Sequence, residues 1–323
     1  LLLLTGLVLV VTGLVVAVAL PRLTVPVAPM LAVLVLAMLT ASWLVVASGP
    51  CEYETRYYCA TVEPDPRRDG GRTLVLDGLR HSYVDLDDPA HLEFRYTQRI
   101  ADVLAQLPPG PVDALHLGLG GGSVPRHLAA VRPGSTGTVL EVDPEIPRIG
   151  RTRLGLDAVP SLDVRVGDAR TEIADLPARS YDVVVGDAFG SLAVPWHLTT
   201  TEMVAEVRRV LRPGGVYALN VIDFPPLDFV RAETATLLTA FEYVLVLAPP
   251  SALARETGGN LVLVGSDTPL STTDLDRRAV ARGEVENVHS GDQVRAFARG
   301  ARVLTDDDAP VDQLLTPYDP PRA

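Results

Sequence analysis

The sequence predicts an α/β chain in three parts: a hairpin of two transmembrane helices over residues 1–48, a small β-rich domain over 49–108, and a doubly wound domain over 109–323. Three observations predict it. Two long stretches near the start carry no charge. Short strand-like runs with turn signals follow. From residue 114 on, apolar strand-like runs alternate with helical ones, the pattern of a mostly parallel sheet covered on both faces.

Residues 1–20 and 27–48 are uncharged, and each is long enough as a helix to cross a hydrocarbon core of about 30 Å. Between them lie two prolines and Arg22, the only charge before Glu52. A signal peptide is the alternative for the first stretch, but no basic region precedes it and no small-residue cleavage site follows. The chain starts at Leu1, so it is expected to be the end of a longer membrane domain. Arg56, Arg67, Arg68 and Arg72 outnumber Arg22, which places the rest on the cytoplasmic side of a multi-pass cell-membrane protein.

Net charge is −12, against phosphate-rich partners, so nucleic acid is not expected. The acidity is compatible with a cationic substrate. The chain contains no lysine, and arginine carries the positive charge. Cys51 and Cys59 have no metal-type spacing and no histidine cluster beside them, so no metal site is expected. Along one extended strand they would stand roughly 26 Å apart, beyond bridging distance. Two free thiols is the plainer reading, and a disulfide requires the segment to fold back; that disulfide would contradict a cytoplasmic domain.

In the β-rich part, Tyr57, Tyr58, Thr61 and Val62 suit one strand and residues 72–76 another, with Asp77-Gly78 a strong hairpin turn. Residues 96–107 read as a helix stopped by Pro108-Pro109-Gly110. The α/β part then gives strands at 114–117, 138–142, 163–166, 181–186 and 216–222, and two late ones at 243–247 and 261–264. Helices are expected at 123–131 and 199–211, the latter with Val204, Val207 and Leu211 on one face. From Asp267 the chain turns polar and less regular.

Candidate site residues fall at successive strand ends. His116-Leu117-Gly118-Leu119-Gly120-Gly121-Gly122-Ser123 runs from strand through glycines into helix, where backbone approaches a ligand closely and unpaired N–H groups face it. Alone, Gly118, Gly120 and Gly122 could form a mere turn. Glu141, 19 residues after Gly122, ends the next strand and can accept from both ribose hydroxyls. Gly167-Asp168-Ala169 ends the third, where an acid can reach an adenine amino group, and Gly186-Asp187-Ala188 ends the fourth. Any one of these acids could be a helix cap. The ordered set of four points to an adenosyl nucleotide.

These runs, with Tyr181-Asp182-Val183-Val184-Val185-Gly186-Asp187, resemble the signature series of the spermidine synthase (polyamine aminopropyltransferase) family. Leu76-Asp77-Gly78 and Tyr96 resemble that family's N-terminal β-domain and gate. The resemblance spans about residues 54–264. With the apolar hairpin ahead, it is to the bacterial type fused to a membrane domain. It implies a Rossmann-like S-adenosylmethionine-dependent methyltransferase fold and polyamine biosynthesis. The implied reaction is transfer of an aminopropyl group from decarboxylated S-adenosylmethionine to putrescine, releasing methylthioadenosine. It further implies Asp187 as catalytic base and Gly118, Gly120, Gly122, Glu141, Asp168 and Ala169 as nucleotide-binding. Tyr96 and His81 would be substrate-binding, the partner a small amine, and a homodimer is allowed.

The chain departs from the family where the diamine would bind. Gly121 and Gly190 stand where the family carries acids, His81 where it has Gln, and Thr97 where it has His. Asp85, Asp87, Asp88 and Asp223 are candidate replacements, or solvated loop acids. Trp196, His197 and Asn220 are candidates for the acceptor pocket, with packing at the sheet edge the alternative for Trp196 and His197. Loss of the loop acid favours a second reading, a methyltransferase using intact S-adenosylmethionine, whose carboxylate that acid would repel. A non-catalytic domain that binds an adenosyl nucleotide and regulates the upstream membrane part is the third.

Overall fold

The computed structural model describes Val35 and residues 51–189, 194–285 and 287–316. The helical hairpin expected over 1–48 lies, Val35 apart, outside the described residues. Among the described residues no helix is long and apolar enough to cross a membrane. Their longest, Asp228–Ala240, has 13 residues where a span needs about 20. The multi-pass membrane location is therefore withdrawn.

From Tyr53 the chain forms one compact unit. It opens with an antiparallel sheet ordered β1 (Tyr53–Glu54), β2 (Cys59–Pro64), β3 (Gly71–Leu76) and β4 (Leu79–Asp85). Tyr57 and Tyr58, expected in a strand, instead occupy the turn between β1 and β2. Thr55 closes that turn: its N–H donates to the Tyr58 carbonyl at 2.9 Å and its Oγ1 accepts from the Tyr58 N–H at 2.8 Å. The turn brings Glu54 opposite Cys59. Cys51 and Cys59 are both disulfide-bonded, which corrects the free-thiol reading. The cytoplasmic side inferred from arginine counts loses its support as well, because disulfides persist in oxidising surroundings. Asp77 and Gly78 join β3 to β4 with φ of 52° and 80°, the left-handed pair that a two-residue hairpin needs.

The second sheet has eight strands in the order β12-β10-β11-β9-β8-β5-β6-β7. β5 (Asp113–Leu117), β6 (Thr136–Glu141), β7 (Leu162–Val166), β8 (Tyr181–Gly186) and β9 (Leu211–Asp223) run parallel. β10 (Tyr243–Leu247), β11 (Gly259–Ser266) and β12 (Val288–His289) add antiparallel pairings. The long helices are α1 (Arg95–Leu104), α2 (Ser123–Val131), α3 (Glu145–Arg153), α4 (Thr201–Val210), α5 (Asp228–Ala240), α6 (Thr272–Ala281) and α7 (Gly291–Ala298). The doubly wound expectation holds. Four helices were illegible in the pattern. Pro147 and Gly150 interrupt the signal of α3. Buried Glu233, Thr234 and Thr236 blur that of α5. The polar stretch after Asp267 holds α6 and α7.

The central parallel strands β5 and β8 are buried on both faces, while the edge strand β7 is largely exposed. Leu115, Leu117 and Val184 face a core with Met203, Val207 and Phe229; Ala114, Val183 and Val185 face another with Ile100, Val103 and Val124. A third cluster joins the small sheet to the site: Val62, Leu74, Leu76 and Val84 pack with Leu119, Ile146 and Leu154. Each such side chain contributes about 1.5–3 kcal/mol by leaving water. The β-sheet is thereby fixed against the glycine loop.

Candidate active site

β5 is flanked by β6 on one side and β8 on the other, so the chain reverses its direction of winding there. A crevice opens at such a switch point beyond the strands' carboxyl ends. Here it is a cleft of about 350 Å³. Of the residues expected from the sequence, His81, Gly118, Gly120, Glu141, Asp168, Ala169 and Asp187 line it. Gly122 does not; it is the N-cap of α2, at φ 76°. Tyr96 reaches Asp187 from a small cavity of about 20 Å³ behind it, also lined by His81, Thr97 and His116.

Two glycines are dictated by contact. A Cβ on Gly118 would stand 2.5 Å from the backbone oxygen of Asp187, so the loop and the end of β8 touch only because that side chain is missing. A Cβ on Gly121 would stand 2.7 Å from Ser82 Oγ, itself 2.8 Å from Ser123 Oγ. A side chain at Gly121 would therefore displace the Ser82 hydroxyl through which β4 packs onto the loop.

Glu141 holds the loop in place: its Oε2 accepts from the Leu119 N–H and its Oε1 from the Asp143 N–H, both at 2.9 Å. Burial raises its pKa, and those N–H groups oppose the rise. A carboxylate has about four lone-pair sites, and those not taken by backbone N–H groups remain for a ligand hydroxyl. Asp168 caps the short helix Ala169–Glu172 through the Arg170 N–H at 2.8 Å, and its Oδ2 lies 3.0 Å from His197 Nε2.

Asp187 is half-buried at the end of β8. Asn220 Nδ2 donates to its Oδ1 at 2.9 Å, and the Tyr96 hydroxyl donates to its Oδ2 at 3.1 Å. Desolvation pushes its pKa up to about 6, against the pull of those two donors. Burial also lowers the His81 pKa to about 4, so that ring is neutral at pH 7.

The wall opposite combines His81, expected at the site, with three rings that carried no site signal in the sequence, Tyr57, Tyr58 and Phe189. The rings of Tyr57, Tyr58, His81 and Phe189 follow one another at 6.2, 6.4 and 6.4 Å. The Tyr58 hydroxyl donates to the Phe189 carbonyl at 2.6 Å, tying the small sheet to the segment after Asp187. Trp196 is half exposed and does not line the cleft. Nor do the four suggested replacement acids. Asp85 pairs with Arg68, and Asp223 accepts from the N–H groups of Phe224 and Val230. Asp87 and Asp88 follow Asp85 in its turn, their N–H groups donating to its carboxylate. Among the described residues no group of three His, Cys, Asp or Glu side chains is placed to hold a metal ion.

A family model described as a methyltransferase domain matches residues 114–215. The polyamine aminopropyltransferase of Vibrio vulnificus is 31% identical over 218 residues, covering 64% of this chain and 71% of that protein. A probable spermidine synthase from Corynebacterium glutamicum superposes with a TM-score of 0.72 at 31% identity, covering 79% of this chain and 95% of that one. The spermidine synthase of Thermotoga maritima, at 19% identity and TM-score 0.55, shares the fold.

Proposed function

The chain belongs to the polyamine aminopropyltransferase family and is a transferase, and we propose that it moves an aminopropyl group from decarboxylated S-adenosylmethionine to a small amine such as putrescine. The observation that carries this reading is Asp187: a carboxylate at the cleft floor, held by two donors, with a pKa raised to about 6. Such a group is ionised at neutral pH yet basic enough to take a proton.

In the proposed reaction the acceptor nitrogen attacks the methylene beside the sulfonium. The carbon–nitrogen bond forms as the carbon–sulfur bond breaks. Its electron pair returns to sulfur, giving neutral methylthioadenosine. The proton lost from nitrogen passes to Asp187. Glu141 would take the ribose hydroxyls. Asp168 and Ala169 would bind the adenine end, with Leu140, Ile146 and Leu198 as its apolar bed. The glycine loop would lie along the sulfonium side, and Tyr96 and His81 would border the acceptor.

The donor's form is supported by charge. Among the described residues lining the cleft none is arginine. The α-carboxylate of intact S-adenosylmethionine would therefore enter without a cation beside it, at a desolvation cost that the decarboxylated form avoids. Calorimetric titration with both forms, followed by a methylthioadenosine assay with putrescine, tests the reading. Preference for the decarboxylated donor and amine-dependent release are expected. Preference for the intact form would replace it with a methyltransferase.

A further inference from the structure

Three adjacent strands lay three polar side chains in one row. Gly186 of β8 pairs with Leu219 of β9, so Asp187 and Asn220 follow as neighbours. Asn220 pairs with Val262 of β11, and Asn260, two residues before Val262, lies on the same face. Asn260 Nδ2 donates to Asn220 Oδ1 at 3.1 Å, and Asn220 Nδ2 donates to Asp187 Oδ1 at 2.9 Å. Helix α1 holds both ends of the row from residues three apart. Tyr96 donates to Asp187, while Arg99 Nη1 donates to the Asn260 backbone oxygen at 3.3 Å. Arg99 is itself fixed by Glu284 at 2.7 Å.

An asparagine amide has a donor end and an acceptor end of nearly equal shape. Asn220 is buried, so neither end can turn to water. If it flipped, its oxygen would face the Asp187 carboxylate, acceptor against acceptor. We propose that Asn260 is a positioning residue: by occupying the oxygen of Asn220 it fixes that amide with its N–H₂ on Asp187. The direction of donation, Asn260 to Asn220 to Asp187, is the one that stabilises an ionised carboxylate. Its consequence for catalysis rests on the transferase reading above; the placement of the amide does not.

The test is an infrared pH titration of the Asp187 carboxyl in the full chain without ligands, its bands assigned by their loss in Asp187→Asn. Asn260→Leu keeps the size and removes the donor. Asn260→Asp keeps the shape and, ionised, offers only an acceptor. Both are expected to raise the Asp187 midpoint, by about one pH unit for Leu and more for Asp. Affinity for methylthioadenosine should stay within about twofold of the parent's, since fewer than half of a kcal/mol of contacts change there. Unchanged midpoints would overturn the proposal. So would a shift matched by loss of nucleoside affinity, which marks general loosening of the cleft. Asn260→Ala decides by the same criteria if neither isostere folds. Failure of aminopropyl transfer in the parent protein would sink the transferase reading alone, because the titration needs no turnover.

Discussion

The hydroxyl of Tyr96 lies 3.1 Å from Oδ2 of Asp187, across 91 residues of sequence. It joins the first long helix to the end of the fourth parallel strand. Both groups are shifted by their surroundings: desolvation raises the Tyr96 pKa well above its ordinary value, with the Asp187 charge adding to it. The phenol therefore remains a donor at every pH of interest, and the carboxylate is the member that titrates.

Replacing Asp187 by Asn keeps the shape and removes the base. Aminopropyl transfer is expected to fall by about 10²–10⁴-fold, the usual worth of a positioned general base. Donor affinity, read by calorimetry, should change little, because Glu141 and the glycine loop are untouched. Parent-like turnover would remove Asp187 from the mechanism.

The acid limb of kcat/KM follows from the same group. Its folded pKa of about 6 lies above the ordinary 3.8, so the base is protonated and inactive below about pH 6 and free above it. Activity should thus rise through pH 6, whatever further rise the acceptor's own deprotonation adds at higher pH. Tyr96→Phe removes one of the two donors that favour the ionised form. The limb should then move upward, so that the variant loses several-fold more at pH 6.5 than at pH 8.5. A rate profile for both proteins checks the direction.

Gly118→Ala tests the contact between the loop and β8. The position has φ of 89°, and the added Cβ would meet the Asp187 carbonyl at 2.5 Å. Either the loop or the strand end must move. A stability loss of about 1–3 kcal/mol is expected from the backbone strain. A thermal melt and a donor titration should both register it, with affinity reduced at least about tenfold.

Much of this site was legible because parallel strands deliver residues to one edge. The alternation of apolar runs placed the ends of β5, β6, β7 and β8 side by side, and with them Gly118, Glu141, Asp168 and Asp187. What the sequence hid depends on contacts between distant elements. Tyr57 and Tyr58 read as strand because aromatic residues favour strands, yet Thr55 closes a turn there and sends them to the cleft. Asn260 lies in a β-strand late in the chain, and only the antiparallel register with β9 brings it to Asn220. The two cysteines pair for the same reason: a turn, not spacing, decides it.

Glu233 offers a test of stability independent of catalysis. It is 1% exposed on α5, and no hydrogen bond reaches either of its carboxyl oxygens. Desolvation raises its pKa well above the ordinary 4.5, and its charge lies near the Tyr217 phenol, whose pKa rises as well. The folded state therefore holds the proton more tightly than the unfolded chain does. The fold suffers no penalty below pH 4.5. Above it the unfolded chain gains by ionising, and stability falls as pH rises toward the folded pKa. Glu233→Leu removes both the unpaired polar group and this linkage. It should stabilise the protein by about 1–3 kcal/mol at pH 7 and flatten the decline between pH 5 and pH 8. Urea unfolding at the two pH values measures it. A destabilised variant with the parent's slope would mean that the Glu233 carboxyl finds a partner in solution.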